Sequence, residues 1–210
     1  DRSVSRGLGD VYKRQTLAQL RAQGYKAFYL AIGCQGGRTA GVPGEDAAGI
    51  QTAVALLRTV GGDESHKMTG KTVVIGGGNV AIDAARVALR CGSSDVTMVC
   101  LEPREKMPAS AEEIAEAEEE GTAIRCGYGP KEFLTKDGHV CGVVLKRCTG
   151  LYDAEGRFAP TYDESVTITL PCDNVVLSIG QCIQWGNLLD GEAVQLGRGQ
   201  GAVADAMTYQ

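Results

Sequence analysis

The chain has 210 residues, of which 43% are hydrophobic and 22% charged, and its formal net charge is −5 at pH 7. This acidic balance, without a run of lysine and arginine, disfavours nucleic acid as a partner, because neutralising phosphates requires clustered cations. Every apolar run is shorter than the roughly 18 residues that a membrane-spanning helix needs, so the sequence predicts no membrane partner.

The N-terminal part of the chain changes character at Thr16. Residues 1–15 have no clear periodicity and resemble a translated cloning adapter, so we interpret them as a non-native tail, with an ordinary polar tail as the alternative. The residues from Thr16 fit a capping box and predict a short helix that ends at Gly24. An apolar strand is predicted over residues 27–32, ending at Gly33. Since only a helix precedes it, this strand is typical of the last part of a domain whose earlier part is absent.

A segment rich in glycine and proline, residues 36–49, predicts a linker. Beyond it, four apolar residues are spaced as one face of a helix: Ile50, Ala53, Val54 and Leu57. This spacing predicts a helix that leads towards the central part of the chain. A second polar break, residues 61–70, separates that helix from the strand predicted next along the chain.

The central feature is one complete βαβ pattern over residues 71–104. A short apolar strand, residues 72–75, is followed by a glycine-rich turn, by a helical run to Cys91, and by a second apolar strand that ends at Glu102. The turn has the pattern G-x-G-x-x-A and consists of Gly76, Gly77, Gly78, Asn79, Val80 and Ala81. The order of strand, turn, helix and strand is the one that dinucleotide binding requires.

Each position of this pattern has a physical role in binding a dinucleotide. Gly76 permits the tight turn, Gly78 lets the backbone approach a pyrophosphate, and the small Ala81 lets the helix pack on the strand. The helix start offers free N–H groups and a positive dipole end to phosphates. Glu102 can accept hydrogen bonds from an adenosine ribose. The alternative is a purely structural glycine turn.

The segments after Glu102 predict further α/β structure and then a change to antiparallel strands. Ser110 begins a second capping box, whose helix runs to Gly121 and carries an acidic run that we interpret as a solvated face. Residues 122–126 predict a third parallel strand. Three β-type segments then predict an antiparallel meander over the sheet: 131–134, 140–147 and 166–170. A last buried strand over residues 173–180 ends at Gly180, and the later GRGQG segment is interpreted as a loop.

The eight cysteines contain no C-x-x-C pair and no spacing typical of metal ligands. Several of them fall inside predicted strands, where cysteine acts as a small hydrophobic residue. We therefore expect a reduced, cytoplasmic compartment and no metal site, with disulfide or zinc binding as the alternatives.

Several strings together resemble the glutamate synthase small-subunit-like family of flavoprotein oxidoreductases. The strings are YKAFYLAIG (25–33), VPGED (42–46), GGGNVAIDAARVALRCG (76–92), REKMPAS (104–110), GYGPKEFL (127–134), EGRFAPTYD (155–163) and NVVLSIGQ (174–181). The resemblance implies an FAD domain interrupted by an NAD(P)H domain, with hydride passing from nicotinamide to FAD and electrons going on to iron–sulfur clusters or a partner subunit. It also implies bound cofactor near Gly33 and Gly180, for which a simple strand-end glycine is the alternative.

This resemblance gives the expected architecture, an α/β Rossmann-like NAD(P)H-binding domain with an antiparallel meander, flanked by segments of a truncated FAD-binding domain. Residues 16–48 are expected to be a remnant of the FAD domain plus a linker, and residues 49–186 the NAD(P)H domain. Residues 187–210 would begin the return into the FAD domain, and the chain looks truncated there. The family's FAD fingerprint and cluster-binding cysteines are missing, so we expect a fragment that is not active alone.

The end of the second strand bears on which dinucleotide binds. The resemblance implies adjacent arginines there in NADPH-using members, whereas this chain has Leu101 and Glu102. A carboxylate repels a 2′-phosphate and favours a free ribose diol, so we expect NAD(H) to be favoured over NADP(H). Arg104 is the candidate that could still reach a phosphate, with an ordinary surface arginine as the alternative.

No residue of the chain is predicted to act as a catalytic acid, base or nucleophile. Hydride transfer between nicotinamide and flavin requires alignment, and the cofactors carry the reactive chemistry. The favoured interpretation is thus a fragment of an electron-input flavoprotein. A dinucleotide-binding sensor or regulatory module without redox chemistry is the alternative, and a dehydrogenase acting on a small substrate is a third possibility, weakened by the missing acid–base residue.

Overall fold

The computed structural model describes residues 15–197 and 199–208. The helices are α1 Leu17–Ala22, α2 Ala53–Gly62, α3 Asn79–Arg90 and α4 Ala111–Glu119, with a 3-10 turn at Arg104–Lys106. The strands are β1 Gly36–Gly37, β2 Ile50–Thr52, β3 Lys71–Ile75, β4 Asp95–Cys100, β5 Ala123–Cys126, β6 Tyr128–Lys136, β7 His139–Tyr152, β8 Phe158–Pro171, β9 Asn174–Leu177 and β10 Gln181–Cys182.

The centre of the fold is a five-stranded parallel sheet in the order β2-β9-β3-β4-β5. The chain runs outward from β3 through β4 to β5, and β9 then returns to the other side of β3. The strand order therefore reverses between β3 and β9. Ligands of open parallel sheets bind at such a reversal, beyond the carboxyl ends of the strands. The predicted Rossmann-like α/β class is confirmed.

The sequence of the central βαβ unit explains why it forms. Four of the five residues of β3 are buried, as expected for a strand covered on both faces. Helix α3 presents a narrow side of mostly small residues to the sheet: Ala81, Ile82, Ala84, Ala85 and Ala88, all buried. Its polar side carries Asp83, Arg86 and Arg90. Gly92, at φ +106°, follows the end of the helix, where a left-handed residue favours glycine.

Two hydrophobic clusters cover the two faces of the sheet. One face packs on the helices, with Val74, Met98 and Val176 of the strands against α2, α3 and α4. The other face contributes Val73 and Val175 to a cluster with the antiparallel strands. Since successive side chains of a strand point to opposite faces, the pairs Val73–Val74 and Val175–Val176 divide between the clusters.

The predicted antiparallel meander forms, with strands longer than expected. Strands β6, β7 and β8 pair in that order, and β7 and β8 have 14 residues each. The inner side chains include Phe133, Val143 and Leu145, which are buried against the parallel sheet. The register of β7 with β8 shifts between Lys146 and Arg147, so the outer half of this hairpin is irregular.

The chain divides into two compact units. One is the continuous range Gly37–Gln181, which contains the parallel sheet and the meander. The other combines the residues up to Gly36 with those from Cys182 onward. In this second unit Thr16 forms the predicted capping box with Gln19, and Arg21 pairs with Glu192 at 3.1 Å. The assignment of residues 16–48, 49–186 and 187–210 to domains remains a prediction.

Two local predictions differ from the structure. The strand predicted over residues 27–32 does not form: Tyr29 is 94% exposed and no strand pairs with this segment in the described part of the chain. An apolar run becomes a strand only where a neighbour satisfies its backbone groups. The helix predicted from Ile50 begins instead at Ala53, capped by Thr52, because Ile50 pairs with Val175 as part of the sheet.

The GRGQG segment is a loop at residues 197 and 199–201, as predicted, and residue 198 lies outside the described residues. The same holds for residues 1–14, so the predicted non-native tail lies almost entirely outside the part that the structure describes.

Candidate functional site

The glycine turn after β3 lies at the reversal of strand order. Gly76 has φ +145°, and its N–H donates to the carbonyl oxygen of Val99 at 2.8 Å. A Cβ at Gly76 would overlap the carbonyl oxygen of Ser178, which follows β9. A Cβ at Gly77 would lie 2.9 Å from Cys100 Cβ and 3.0 Å from Glu102 Oε2. Both positions therefore require glycine because β9 and β4 approach the turn so closely.

Gly78 differs from the other two glycines because the space beside it is open. It is the N-cap of α3, with no side-chain cap and with nothing within 4 Å of a Cβ placed on it. Its carbonyl oxygen accepts from Ala81 and Ile82. The N–H groups of Asn79 and Val80 have no acceptor among the described residues. The start of α3 thus offers free donors and a positive dipole end to an anion, and it has room for one.

A cleft of about 660 Å³ lies beside this turn, wholly within the unit Gly37–Gln181. Its floor is formed at the carboxyl ends of three parallel strands: residues 75–78 at the end of β3, 99–102 at the end of β4, and 178–179 after β9. Its walls come from the loop 38–42 and from the meander. The meander residues are Tyr128, Pro130, Lys146, Phe158, Pro160 and Tyr162.

Three charged side chains line this first cleft: Glu102, Arg38 and Lys146. Lys146 Nζ lies 2.7 Å from Glu164 Oε1 and 4.3 Å from the centre of the Tyr162 ring. Within residues 15–197 and 199–208, no carboxylate lies within ion-pairing distance of Arg38. Burial raises the pKa of the Cys100 thiol and of the Tyr162 phenol, so both stay neutral at pH 7. Arg38 is therefore a cation of this cleft without a carboxylate partner among the described residues, whereas Lys146 is paired with Glu164.

A smaller cleft of about 330 Å³ opens on the other side of Gly78. It is lined by the starts of α2 and α3 and by residues that follow β9, among them Asn79, Val80 and Gly180. Gly78 belongs to the lining of both clefts. An extended ligand with a central anionic group could therefore cross the start of α3 and reach into both.

The structure brings most of the predicted site residues together. Gly76, Gly77, Gly78 and Glu102 line the first cleft, and Gly78, Asn79, Val80 and Gly180 line the second. Asn79 also has a structural contact, because its Oδ1 accepts from the N–H of Ser110 at 3.1 Å. Ala81 is fully buried behind the turn, which agrees with a packing role.

Two predicted residues lie away from these clefts. Arg104 Nη2 is 2.5 Å from Glu118 Oε2, and Arg104 does not line the first or the second cleft. Its hydrogen bond to Glu118 raises the pKa of Arg104. Gly33 is exposed, with φ +62°, and it belongs to the other compact unit.

Sequence reasoning missed Arg38, Lys146, Tyr162 and Ser178 as cleft residues. Arg38 lies in the segment interpreted as a linker, and the other three lie on strands or strand ends far along the chain. Arg38 and Lys146 belong to no quoted string, and Tyr162 and Ser178 lie in the strings EGRFAPTYD and NVVLSIGQ without a predicted site role. The pairing of β9 with β3 brings Ser178 to the glycine turn, and the packing of the meander brings Lys146 and Tyr162.

Two further expectations concern metals and membranes. Among the described residues, no group of three His, Cys, Asp or Glu side chains could hold a metal ion. The acidic run on α4 is instead engaged in ion pairs, with Glu118 on Arg104 and Glu120 on Arg86 and Arg90. In the same part of the chain, the helices are all too short or too polar to cross a membrane.

Comparison with known families shows to which family the chain belongs. The model of the pyridine nucleotide-disulphide oxidoreductases matches residues 3–208. The chain belongs to this family. The glycine turn, the parallel sheet and the two clefts are thus those of a member of a redox-enzyme family.

Two of the curated relatives are named as a beta subunit and as a small chain. The NADP(+)-dependent formate dehydrogenase subunit beta of Moorella thermoacetica is 36% identical over 187 residues, which cover 87% of this chain and 26% of that protein. The glutamate synthase (NADPH) small chain of Azospirillum brasilense is 33% identical over 184 residues, covering 81% and 38%. The resemblance to glutamate synthase small subunits is confirmed. The chain spans about a quarter to two fifths of the length of these two relatives.

Solved structures share the fold. Mycobacterium tuberculosis FprA in complex with NADPH has a TM-score of 0.63 at 22% identity, over 79% of this chain and 52% of that chain. The thioredoxin reductase of T. acidophilum has a TM-score of 0.58 at 20% identity, over 81% and 49%. Both likenesses support the Rossmann-like architecture.

The expectation that NAD(H) is favoured over NADP(H) is wrong. The relatives from Moorella and Azospirillum are NADP(+)- or NADPH-dependent by name, and FprA was solved with NADPH. The prediction gave the whole weight to one carboxylate at the end of β4. In the structure the Glu102 carboxylate lies against Gly77, and the same cleft is lined by Arg38 and Lys146 from other elements. The potential at the site depends on all of these charges.

Proposed function

We propose that the unit Gly37–Gln181 binds NADPH across the start of α3, as the nicotinamide-dinucleotide domain of a larger flavoprotein. The observation that carries this proposal is the uncapped start of α3 at the reversal of strand order. There Gly78 leaves open space, and the N–H groups of Asn79 and Val80 have no acceptor among the residues described. A pyrophosphate fits this cradle in size and in charge.

The two clefts suggest how the rest of the dinucleotide would be held. The first cleft borders the end of β4, so Glu102 would accept a hydrogen bond from a hydroxyl of the adenosine ribose. Arg38 lines this cleft without a carboxylate partner in the described chain, so it would face the pyrophosphate. The second cleft, bordered by Val80 and Gly180, would receive the nicotinamide.

The chemistry of the proposed reaction comes from the cofactors, and this chain binds and orients them. A bound nicotinamide supplies a hydride, and FAD in the complete protein would accept it. The described residues supply alignment, through the glycine turn and the two clefts, and we assign no acid or base to them. We propose that the electrons then pass to iron–sulfur clusters or to a partner subunit; relatives named as beta subunits and small chains support the existence of a partner subunit.

The test is the substitution Gly78→Ser, with Gly61→Ser as the matched control. Serine is a preferred N-cap, so its hydroxyl would satisfy the start of α3 and keep the helix stable while filling the phosphate cradle. Gly61 lies in α2 with nothing within 4 Å of a Cβ and lines neither cleft. In titrations of the purified chain, we expect Gly78→Ser to weaken NADPH binding at least about tenfold.

Thermal unfolding of both variants provides the folding control. We expect the midpoint of Gly78→Ser to be equal to or above that of the wild type. Unchanged NADPH affinity in Gly78→Ser would mean that the pyrophosphate does not bind at α3. A folded wild-type chain that binds no dinucleotide would refute the proposal as a whole.

A further inference from the structure

A third cleft of about 460 Å³ borders the segment that follows β4, and it shares Leu101 with the first cleft. Its lining residues are Leu101, Pro103, Lys106, Gly127, Arg147, Cys148, Thr149, Gly150, Leu151 and Tyr152. Leu101 also lines the first cleft, whereas Glu102 lines only the first. The lining contains two basic side chains and no acidic one, so this cleft is suited to an anion.

Arg147 lies beside the backbone that follows β4. It is paired with Tyr128 across β6 and β7, and its Cζ lies 5.3 Å from the centre of the Tyr128 ring. The same Cζ is 3.7 Å from the position of a Cβ on Gly127. The N–H of Gly127 donates to the carbonyl oxygen of Glu102 at 3.1 Å. The guanidinium is thus held next to the residue where the adenosine ribose would lie.

Arg147 and Lys106 are two cations without an ion-pair partner among the described residues. Neither side chain has a carboxylate within ion-pairing distance in the part of the chain described. Nearby cations differ in this respect: Arg104 pairs with Glu118, and Lys146 pairs with Glu164. The two cations of the third cleft remain available for a ligand.

We infer that Arg147 and Lys106 bind the 2′-phosphate of NADPH from the third cleft. This inference rests on the proposed function, because it needs the adenosine at the end of β4. The 2′-phosphate is a compact anion on the ribose, and guanidinium can bind two of its oxygens at once. The arrangement reconciles Glu102 with NADPH: the carboxylate faces Gly77 and the first cleft, and the phosphate is received on the opposite side of Leu101.

The test compares Arg147→Gln and Lys106→Gln with Lys136→Gln, titrating each chain with NADPH and NADH. Lys136 is an exposed residue at the end of β6 that lines none of the three clefts, so its variant controls for the loss of one positive charge. We expect each cleft variant to weaken NADPH binding at least about tenfold while NADH changes less than about twofold. Arg147→Lys should recover part of the NADPH affinity.

Equal losses for NADPH and NADH, or no loss for either, would overturn the assignment of the 2′-phosphate. If the wild type binds NADPH and both variants prefer NADPH over NADH as strongly as the wild type does, the assignment of the 2′-phosphate is wrong and the proposed function stands. A folded wild type that binds neither dinucleotide defeats the proposed function and this inference together. If Arg147→Gln fails to fold by circular dichroism, Lys106→Gln decides the outcome, since Lys106 is an exposed residue of the 3-10 turn.

Discussion

Three adjacent glycines of the turn are required for three different physical reasons. Gly76 has a positive φ and lies against the Ser178 carbonyl oxygen. Gly77 is enclosed by the side chains of Cys100, Glu102 and, at 3.4 Å, Pro108. Gly78 has an ordinary φ of −93° and open space beside it. The first two residues thus serve the fold, and the third leaves open space at the start of α3, where we propose that the pyrophosphate binds.

This division predicts that substituting the first glycine of the turn lowers stability. Gly76→Ala would strain the backbone at φ +145° and clash with Ser178, so we expect the free energy of unfolding to fall by at least about 1–3 kcal/mol. Gly61→Ala, in a helix with free space, is the control and should raise stability slightly. Urea denaturation followed by circular dichroism measures both. A Gly76→Ala midpoint equal to that of the wild type would contradict the steric argument.

The helices on one face of the sheet are joined through a carboxylate that follows α4. Glu120 Oε1 lies 2.7 Å from Arg86 Nη2 and 2.6 Å from Arg90 Nη2, both on α3. Hydrogen bonds from Arg90 and Arg86 lower the pKa of Glu120 from its ordinary value of 4.5. The run of three glutamates, interpreted from sequence as a solvated face, therefore also contains a contact between elements.

The lowered pKa of Glu120 sets the pH range of this contact. A carboxyl group with a lower pKa in the folded state stabilises the protein above pH 4.5, and the contribution is lost as the pH falls through the folded-state pKa. We expect Glu120→Gln to lower the thermal midpoint slightly at pH 7 and to match the wild type in strong acid. Glu119→Gln is the control, because Glu119 is exposed and has no ion pair in the described structure. A Glu120→Gln deficit that is independent of pH would refute the ionic explanation.

The whole unit Gly37–Gln181 is held together by the packing of the meander on the parallel sheet. Leu145 is fully buried at the centre of that interface, between Pro130 of β6 and Ile168 of β8 in register. Its cluster includes Val73 and Val175 from the sheet. The same meander provides a wall of the first cleft, so the packing that stabilises the unit also shapes the site.

Truncating Leu145 tests this packing. We expect Leu145→Ala to lower the free energy of unfolding by about 2–5 kcal/mol, because it removes buried surface and leaves a cavity. Val166→Ala on β8 is the matched control: Val166 is 43% exposed, and its truncation should change stability by about 0.5 kcal/mol or less. Equal effects of the two substitutions in urea denaturation would mean that the meander is not part of the cooperative core.

Much of this molecule could be predicted from local sequence. The strand, turn and helix of the βαβ unit, the caps at Thr16 and Ser110, and the meander segments were all predicted near their positions. Each of these features depends on contacts between residues a few positions apart: hydrophobic periodicity, a capping side chain or a glycine with positive φ. A pattern of this kind can be recognised from sequence because the interacting residues are close together along the chain.

The tertiary structure alone decided the place of β9 beside β3, the absence of a strand at residues 27–32, and the cations that line the same cleft as Glu102. These depend on contacts between distant residues, such as the hydrogen bond from Lys71 N–H to Asp173 across 102 positions. Sequence reasoning assigned the cofactor from one carboxylate because the opposing charges lie on other elements. The sequence by itself determined that a glycine turn joins a buried strand to a helix. The packing of distant strands determined which charges meet there, since electrostatic potential depends on distance in space and not along the chain.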